Sequence, residues 1–365
     1  MTRILRHACA AAEISVVECH RPLWQHTRDK TRAYFSPTSL FRLAVRYLQI
    51  GASLAREWRR QRAPAPVALV GFNGQLDVLL LRWLAGRRYP IVLAPLVTIT
   101  ETLVDDRRQF PPRSLRATLV RQLDRLSLQS ATRVVIDTEA HRRYLHSQLA
   151  IDPEHTVTWY LGTDVAAFPS RPLGSRARSD CRVLFYGQFL PLHGIETIVR
   201  AAERLRDQPR ITFRIIGAGP ERAACLALAR QLRLDSVEFI EWVRYERLAD
   251  ELADADIVLG IFGTSAKAQM VIPNKVYQAA SVGCAIISAD SPAIREVFVD
   301  GETIRLTPAG NAAALAEAIR GLAADQAQRE RMARHAQTLM HDRFSPAQQG
   351  DRLVTVFADA LAAAQ

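Results

Sequence analysis

IFGTSAKAQMVIPNKVYQAASVGCAIIS, residues 261–288, decides the fold. An apolar run over 256–262 reads as a strand, small polar residues follow it, and Val276, Ala279, Ala280 and Val282 then recur at helical spacing behind Pro273-Asn274-Lys275. This is a strand, a loop and a helix start. Proline at a first helical position sacrifices no hydrogen bond, and the amides and dipole behind it favour an anion such as a phosphate in the loop mouth. Lys275 adds a full charge there. Of the 48 basic residues only Lys30, Lys267 and Lys275 are lysine, and two of these three fall in this stretch. Both read as solvated charges or as ligands; a lysine at a helix N-terminus is unfavourable unless an anion is present, which points Lys275 to phosphate.

The same alternation extends in both directions. Before the stretch come strand 182–187, helix 195–206, strand 211–217, helix 221–232, strand 237–240 and helix 245–253. After it come strand 285–288, a helix near 291–298, helices filling about 311–342, and a last amphipathic helix from Pro346 to Ala363. Upstream the pattern gives a helix over 3–12, a strand over 14–20 and a long amphipathic helix from Ser39 to Arg60. Strand 67–72, helix 75–85, strand 90–94, helix 114–129 and strand 133–137 complete that half. Strands alternating with helices predict an α/β protein with mostly parallel sheets covered on both faces. Periodicity stops in GTDVAAFPSRPLGSRARSD, residues 162–180, which is the expected boundary. The expected division is 1–165, a linker 166–181, 182–345, and a C-terminal helix 346–365 packing back on the first domain.

A chain of 365 residues is too long for one ordinary core. No apolar run is long enough to span a bilayer and no signal core opens the sequence, so the expected location is cytoplasmic. The five cysteines are scattered without metal-ligand spacing, which predicts reduced thiols and no metal site. A net charge of +11 favours acidic partners: phosphorylated small molecules, anionic lipid or nucleic acid. Helix 39–60 suits an anionic membrane surface, although a helix packed on a sheet has the same pattern.

Three strand-end loops carry the candidate chemistry. YGQFLPLHGIETI, 186–198, sets Gly187, Gln188, His193 and Gly194 after a strand, a turn whose amides can cradle phosphate oxygens. His193 there donates to a phosphate or leaving group, or merely caps the turn. IIGAGPERAA, 215–224, has Gly217 and Gly219 but Arg222 in place of a third glycine, which weighs against a dinucleotide fingerprint and leaves a tight turn at Gly219-Pro220 for a nucleotide. The third is 263–275. In the other half, the loop after residue 94 holds Glu101, Asp105, Asp106, Arg107 and Arg108, either a solvated charge run or a ligand-facing one. Thr138 and Glu139 read as a helix start, and His141 as a first-turn surface histidine.

Taken in order, these motifs with SPAIREVFVDGET and LTPAGNAAALAEAI resemble the C-terminal half of the retaining family-four, group 1 glycosyltransferases of GT-B fold, over roughly 182–345. PLVTITETLVDDRR, DTEAHRRYL and YLGTDVAAFP resemble the acceptor side of the same family. The resemblance implies two Rossmann-like domains facing across a cleft, a UDP- or GDP-sugar donor held by the second, and a glycan or lipid-linked acceptor held by the first. Cell-surface polysaccharide or glycolipid synthesis is the implied setting. It places Gly187, Gln188, His193 and Gly194 by the sugar diphosphate, Gly219 and Pro220 near the nucleotide, and Pro273, Asn274 and Lys275 at the diphosphate. Gln278 faces the ribose, and Glu101, Asp105 and Arg107 are acceptor-side candidates. Transfer is retaining, with the departing diphosphate taking the acceptor proton; no metal or cofactor is required, and no nucleic acid is expected.

Three departures accompany it. The family's Glu-x7-Glu falls on Met270 and Gln278; its basic pair falls on Gln188 and His193; and no first strand with a glycine-rich turn precedes the opening helix. The last leads to the expectation of a start upstream of Met1 or a curtailed acceptor domain. The rival expectation is a non-catalytic protein that keeps the fold as a scaffold, or a truncated inactive enzyme.

Overall fold

The computed structural model describes residues 2–21, 37–60, 65–171 and 180–365. Lys30 and most of the 172–180 linker stretch lie outside them. Two parallel sheets organise the chain. In the first domain β1 (Ala68–Val70), β2 (Ile91–Leu93), β3 (Arg133–Ile136) and β4 (Thr156–Thr158) pair in sequence order. Around them pack α1 (Thr2–Ala11), α2 (Pro37–Arg60), α3 (Gln75–Ala85), α4 (Leu115–Ser130) and α5 (Glu139–Leu149). Helix α2 packs on α3, where the Tyr47 hydroxyl donates to Asp77 at 2.9 Å. No helix among the described residues is long and apolar enough to cross a membrane.

The second sheet contains β5 (Cys181–Tyr186), β6 (Ile211–Ile216), β7 (Val237–Ile240), β8 (Ile257–Leu259), β9 (Ala285–Ala289) and β10 (Arg305–Thr307). Their spatial order is β7-β6-β5-β8-β9-β10, all parallel. Every residue of β8 and β9 is buried, as a strand covered on both faces requires. The covering helices are α6 (Ile195–Glu203), α7 (Arg222–Gln231), α8 (Leu248–Asp254), α9 (Ala266–Met270), α10 (Asn274–Val282), α11 (Ala312–Ala324), α12 (Gln326–Phe344) and α13 (Pro346–Ala362). The strand order reverses between β5 and β8, and in such sheets a crevice opens at that switch point, beyond the carboxyl ends of the strands.

One apolar core runs through both domains, joining Ile4 and Ala8 of α1, Val92, Val135, Val276, Tyr277, Phe344 and Val356. Helix α13 packs on α1, Gln349 donates to the carbonyls of Tyr160 and Leu161 at 2.8 Å each, and Arg133 pairs with Asp359 at 2.6 Å. The chain end therefore ties the second domain to the first.

Four local expectations are corrected. Residues 14–20 form no strand: Glu18 turns to Arg6, the Cys19 thiol lies against the Leu54 carbonyl, and Val16 and Val17 face solvent, with no strand paired to them among the described residues. The polar loop after β8 contains α9, capped by Ser265, whose hydroxyl accepts from the Ala268 amide. Pro273 is the extended residue before α10 rather than its first helical residue. The helix near 291–298 shrinks to one 3₁₀ turn, Ile294–Glu296, because β10 pulls the chain back to the sheet edge.

Candidate active site

At the switch point the turn after β5 and the turn after β6 are pressed together. Gly187 has φ of 152° and Gly217 φ of 149°, and a Cβ on Gly217 would lie 1.8 Å from the Gly187 carbonyl oxygen. Only glycine at 217 lets the two backbones meet. Gly217→Ala should therefore lose about 3 kcal/mol or more of stability and open the crevice wall. A thermal melt and a nucleotide titration unchanged by this substitution would show that the turns are not so packed. Gly194 and the backbone of Phe262 and Gly263 close the third side, with Gly263 donating to the Leu192 carbonyl at 3.1 Å.

Lys275 comes into this corner from α10. It is 6% exposed, its Nζ lies 3.7 Å from the centre of the Phe185 ring, and it has no hydrogen-bond partner. Among the described residues no carboxylate stands within ion-pair reach of it. Burial holds its pKa well below the ordinary lysine value. A Cβ at Gly187 would approach Nζ to 2.9 Å and the His193 ring to 3.3 Å, so the turn, the lysine and the histidine meet at one point. Buried ammonium groups are ordinarily paired, and this one has only an aromatic face. Lys275 is the second residue of α10, among the helix's first amides, of which Val276 N–H donates to the Pro273 carbonyl at 2.9 Å.

His193 is half-buried and its Nδ1 faces the Gln188 carbonyl. Burial, then the charge of Lys275, pushes its pKa down to about 3, so the ring is neutral at physiological pH. A neutral ring with Nδ1–H donated to a carbonyl presents Nε2 as an acceptor. Of the two readings of His193, the Nδ1 contact to the Gln188 carbonyl matches the cap of the turn, and Nε2 is left to accept from a ligand hydroxyl. Gln188, Gly219, Pro220 and Asn274 are exposed along the crevice, and Pro273 is half-buried. Gln278 accepts from the Tyr186 hydroxyl at 2.7 Å, leaving its amide nitrogen for a ligand.

The acceptor-side candidates separate. Glu101 begins a π-helical turn, Glu101–Asp106, and is fully buried, so it faces neither solvent nor an open cleft. Its Oε2 meets His141 Nε2 at 2.7 Å and Thr98 N at 3.0 Å, and Lys267 Nζ lies 3.2 Å from Oε1. His141, expected at the surface, is fully buried between Glu101 and Asp137, whose Oδ1 is 2.8 Å from Nδ1. Burial opposes charge on both members, but their attraction outweighs it: His141 is pushed up to about 10 and Glu101 down to about 2, an imidazolium–carboxylate pair. Asp105 accepts from the Tyr144 hydroxyl at 2.5 Å, and Arg107 ends the π-helical turn with its Nε buried and without a hydrogen-bond partner. The turn is fixed from α4 by Asp124, which accepts from the amides of Ile99 and Thr100 at 3.0 and 2.7 Å.

In the sequence Asp106 and Lys267 read as solvated or ligand-facing charges, and Glu296 carries no reading; the structure places all three at contacts between the two halves. Asp106 is buried and accepts from Ser265 at 3.0 Å; Glu296 accepts from the amides of Glu139 and Ala140 at 2.7 Å each. For Lys267 the scarcity of lysine was a usable sign. For Glu296 there was none, because its partners are amides of a helix start in the other domain.

Residues 180–325 match the family model described as Glycosyl transferases group 1. D-inositol 3-phosphate glycosyltransferase of Kineococcus radiotolerans is 37% identical over 149 residues, which cover 36% of this chain and 34% of that one. The matching stretch thus spans about a third of the curated relative's length. Among solved structures, sucrose-phosphate synthase from Thermosynechococcus elongatus superposes with a TM-score of 0.74 at 18% identity, over 99% of this chain and 93% of the other. HepE of Anabaena, in complex with UDP-glucose, gives 0.66 at 18%, over 85% and 82%.

Proposed function

We propose that this chain, whose second domain belongs to the group 1 glycosyltransferases and whose two sheets form the GT-B fold, moves a sugar with retention from a UDP- or GDP-sugar to a glycan or lipid-linked acceptor. The observation that carries the reading is Lys275, a buried lysine whose Nζ has no hydrogen-bond partner, against the Gly187 turn at the switch point. A diphosphate seated there receives the ammonium group and the first amides of α10. Both are placed to strengthen their hold as negative charge grows on the leaving group, and so they favour the transition state over the bound substrate. The diphosphate oxygen released by bond cleavage takes the proton of the incoming hydroxyl. His193 Nε2 accepts from a sugar or ribose hydroxyl, and the Gln278 amide donates to another.

Synthesis of cell-surface polysaccharide or glycolipid at the cytoplasmic face of a membrane fits this reading. The net charge of +11 and the exposed Val45 and Leu48 of α2 support peripheral contact with anionic lipid. Co-flotation with phosphatidylglycerol vesicles checks it; protein that stays at the bottom of the gradient removes the membrane from the proposal.

One observation favours the scaffold reading. Met270, where the resembled pattern has a carboxylate, is buried in an apolar cluster of the first domain. Thermal unfolding against UDP, GDP and their sugars decides. A ligand at a hundred times its Kd adds about 2.7 kcal/mol, roughly 5 °C or more in Tm for domains of this size. A shift with one nucleotide class is expected, and no shift with any of them returns the weight to a scaffold.

A further inference from the structure

Helix α9 belongs to the second domain by sequence, yet it is held by the first. Met270 shares an apolar cluster with Val78, Ile91 and Val134, and its carbonyl accepts from the Thr138 hydroxyl. Ser265 donates to Asp106 at 3.0 Å, while Lys267 stands 3.2 Å from both Glu101 Oε1 and Thr102 Oγ1. A helix of five residues has no stability of its own in water. Three residues further on, the same segment becomes Pro273-Asn274-Lys275.

We propose that Lys267 is a positioning residue: seated in the buried Glu101–His141–Asp137 set of the first domain, it fixes α9 and so makes the crevice geometry around Lys275 depend on contact between the domains. The proposal rests on the nucleotide reading of the crevice. If the domains part, Lys267 leaves its carboxylate, α9 loses its anchor, and the segment that presents Lys275 is released. Nucleotide affinity and interdomain contact are then linked, and the linkage is reciprocal.

The test is titration of UDP and GDP into wild type, Lys267→Met and Lys267→Arg, with Tm followed in parallel, together with amide exchange of the wild type with and without nucleotide. Lys267→Met is expected to bind the preferred nucleotide about tenfold more weakly, with part of the loss recovered by Lys267→Arg. In the wild type, nucleotide is expected to slow exchange across 101–106 and 139–145, both in the opposite domain. A folded Lys267→Met protein with lowered Tm and unaltered affinity would assign Lys267 a purely structural role and overturn the proposal. If that variant does not fold, the wild-type exchange decides alone: protection confined to the second domain overturns the proposal, and protection in both supports it. Wild type that binds neither nucleotide removes the crevice reading itself, and this coupling with it.

Discussion

Lys275→Met should bind UDP or GDP roughly a hundredfold more weakly than wild type, a loss of about 3 kcal/mol, while folding at least as stably. The two halves of this result have one cause. In the free protein Lys275 Nζ is buried against Phe185 with no hydrogen-bond partner, so the fold bears the desolvation of this amine without a compensating polar contact. Methionine fills similar space, and its sulfur suits the aromatic face. Removing the amine should therefore raise stability by about 1 kcal/mol or leave it unchanged. With a diphosphate present the same amine is protonated and paired in a water-poor site, where its removal is costly.

Protonation follows. Burial depresses the Lys275 pKa in the free protein and a bound diphosphate raises it, so binding takes up a proton at pH values between the two. Affinity should fall as pH rises, and calorimetry in buffers of different ionisation enthalpy reads the uptake directly. Equal affinity in the Met variant would remove Lys275 from the ligand.

His141→Ala should be the most destabilising single change at the domain contact, costing about 3–5 kcal/mol. It leaves Glu101 and Asp137 buried with one of their shared donors gone, and Lys267 balances Glu101 alone. The dependence on pH has a defined sign. Burial works against the His141 charge, but Glu101 and Asp137 raise its folded pKa to about 10, above an ordinary value of 6.5. Its contribution is complete below pH 6.5 and is lost as pH rises through about 10. Glu101, depressed to about 2 from 4.5 despite its burial, contributes fully above pH 4.5 and loses that contribution as pH falls through about 2. Urea unfolding of wild type and His141→Ala should give a difference that is largest between pH 4.5 and 6.5 and narrows as pH rises from 6.5 to about 10. A difference constant over that range would mean that His141 is buried neutral.

The sheets were legible because their signals are local. Apolar runs such as 257–259 and 285–289 are short, and the helices between them keep their period. The three loops at the switch point were legible for the same reason, since glycine pairs and Pro273-Asn274-Lys275 directly follow or precede those elements. Illegible were the residues whose role depends on distant partners. His141 lies on a helix start that reads as surface, and only Glu101, 40 positions earlier, makes it a buried cation. Glu101 itself sat in a charged run with the ordinary look of a solvated loop, while Asp124 and Lys267 pull that run inside. Residues 14–20 failed in the opposite sense: alternation allows a strand, but a strand also needs an edge to pair with, which no local pattern supplies.

The position of a bound nucleotide tests the central claim most directly. In crystals grown with UDP or GDP, the diphosphate is expected between the Gly187–Gly194 turn and the first amides of α10, within hydrogen-bond distance of Lys275 Nζ. A nucleotide bound elsewhere, or one whose phosphates lie away from Lys275, would contradict it.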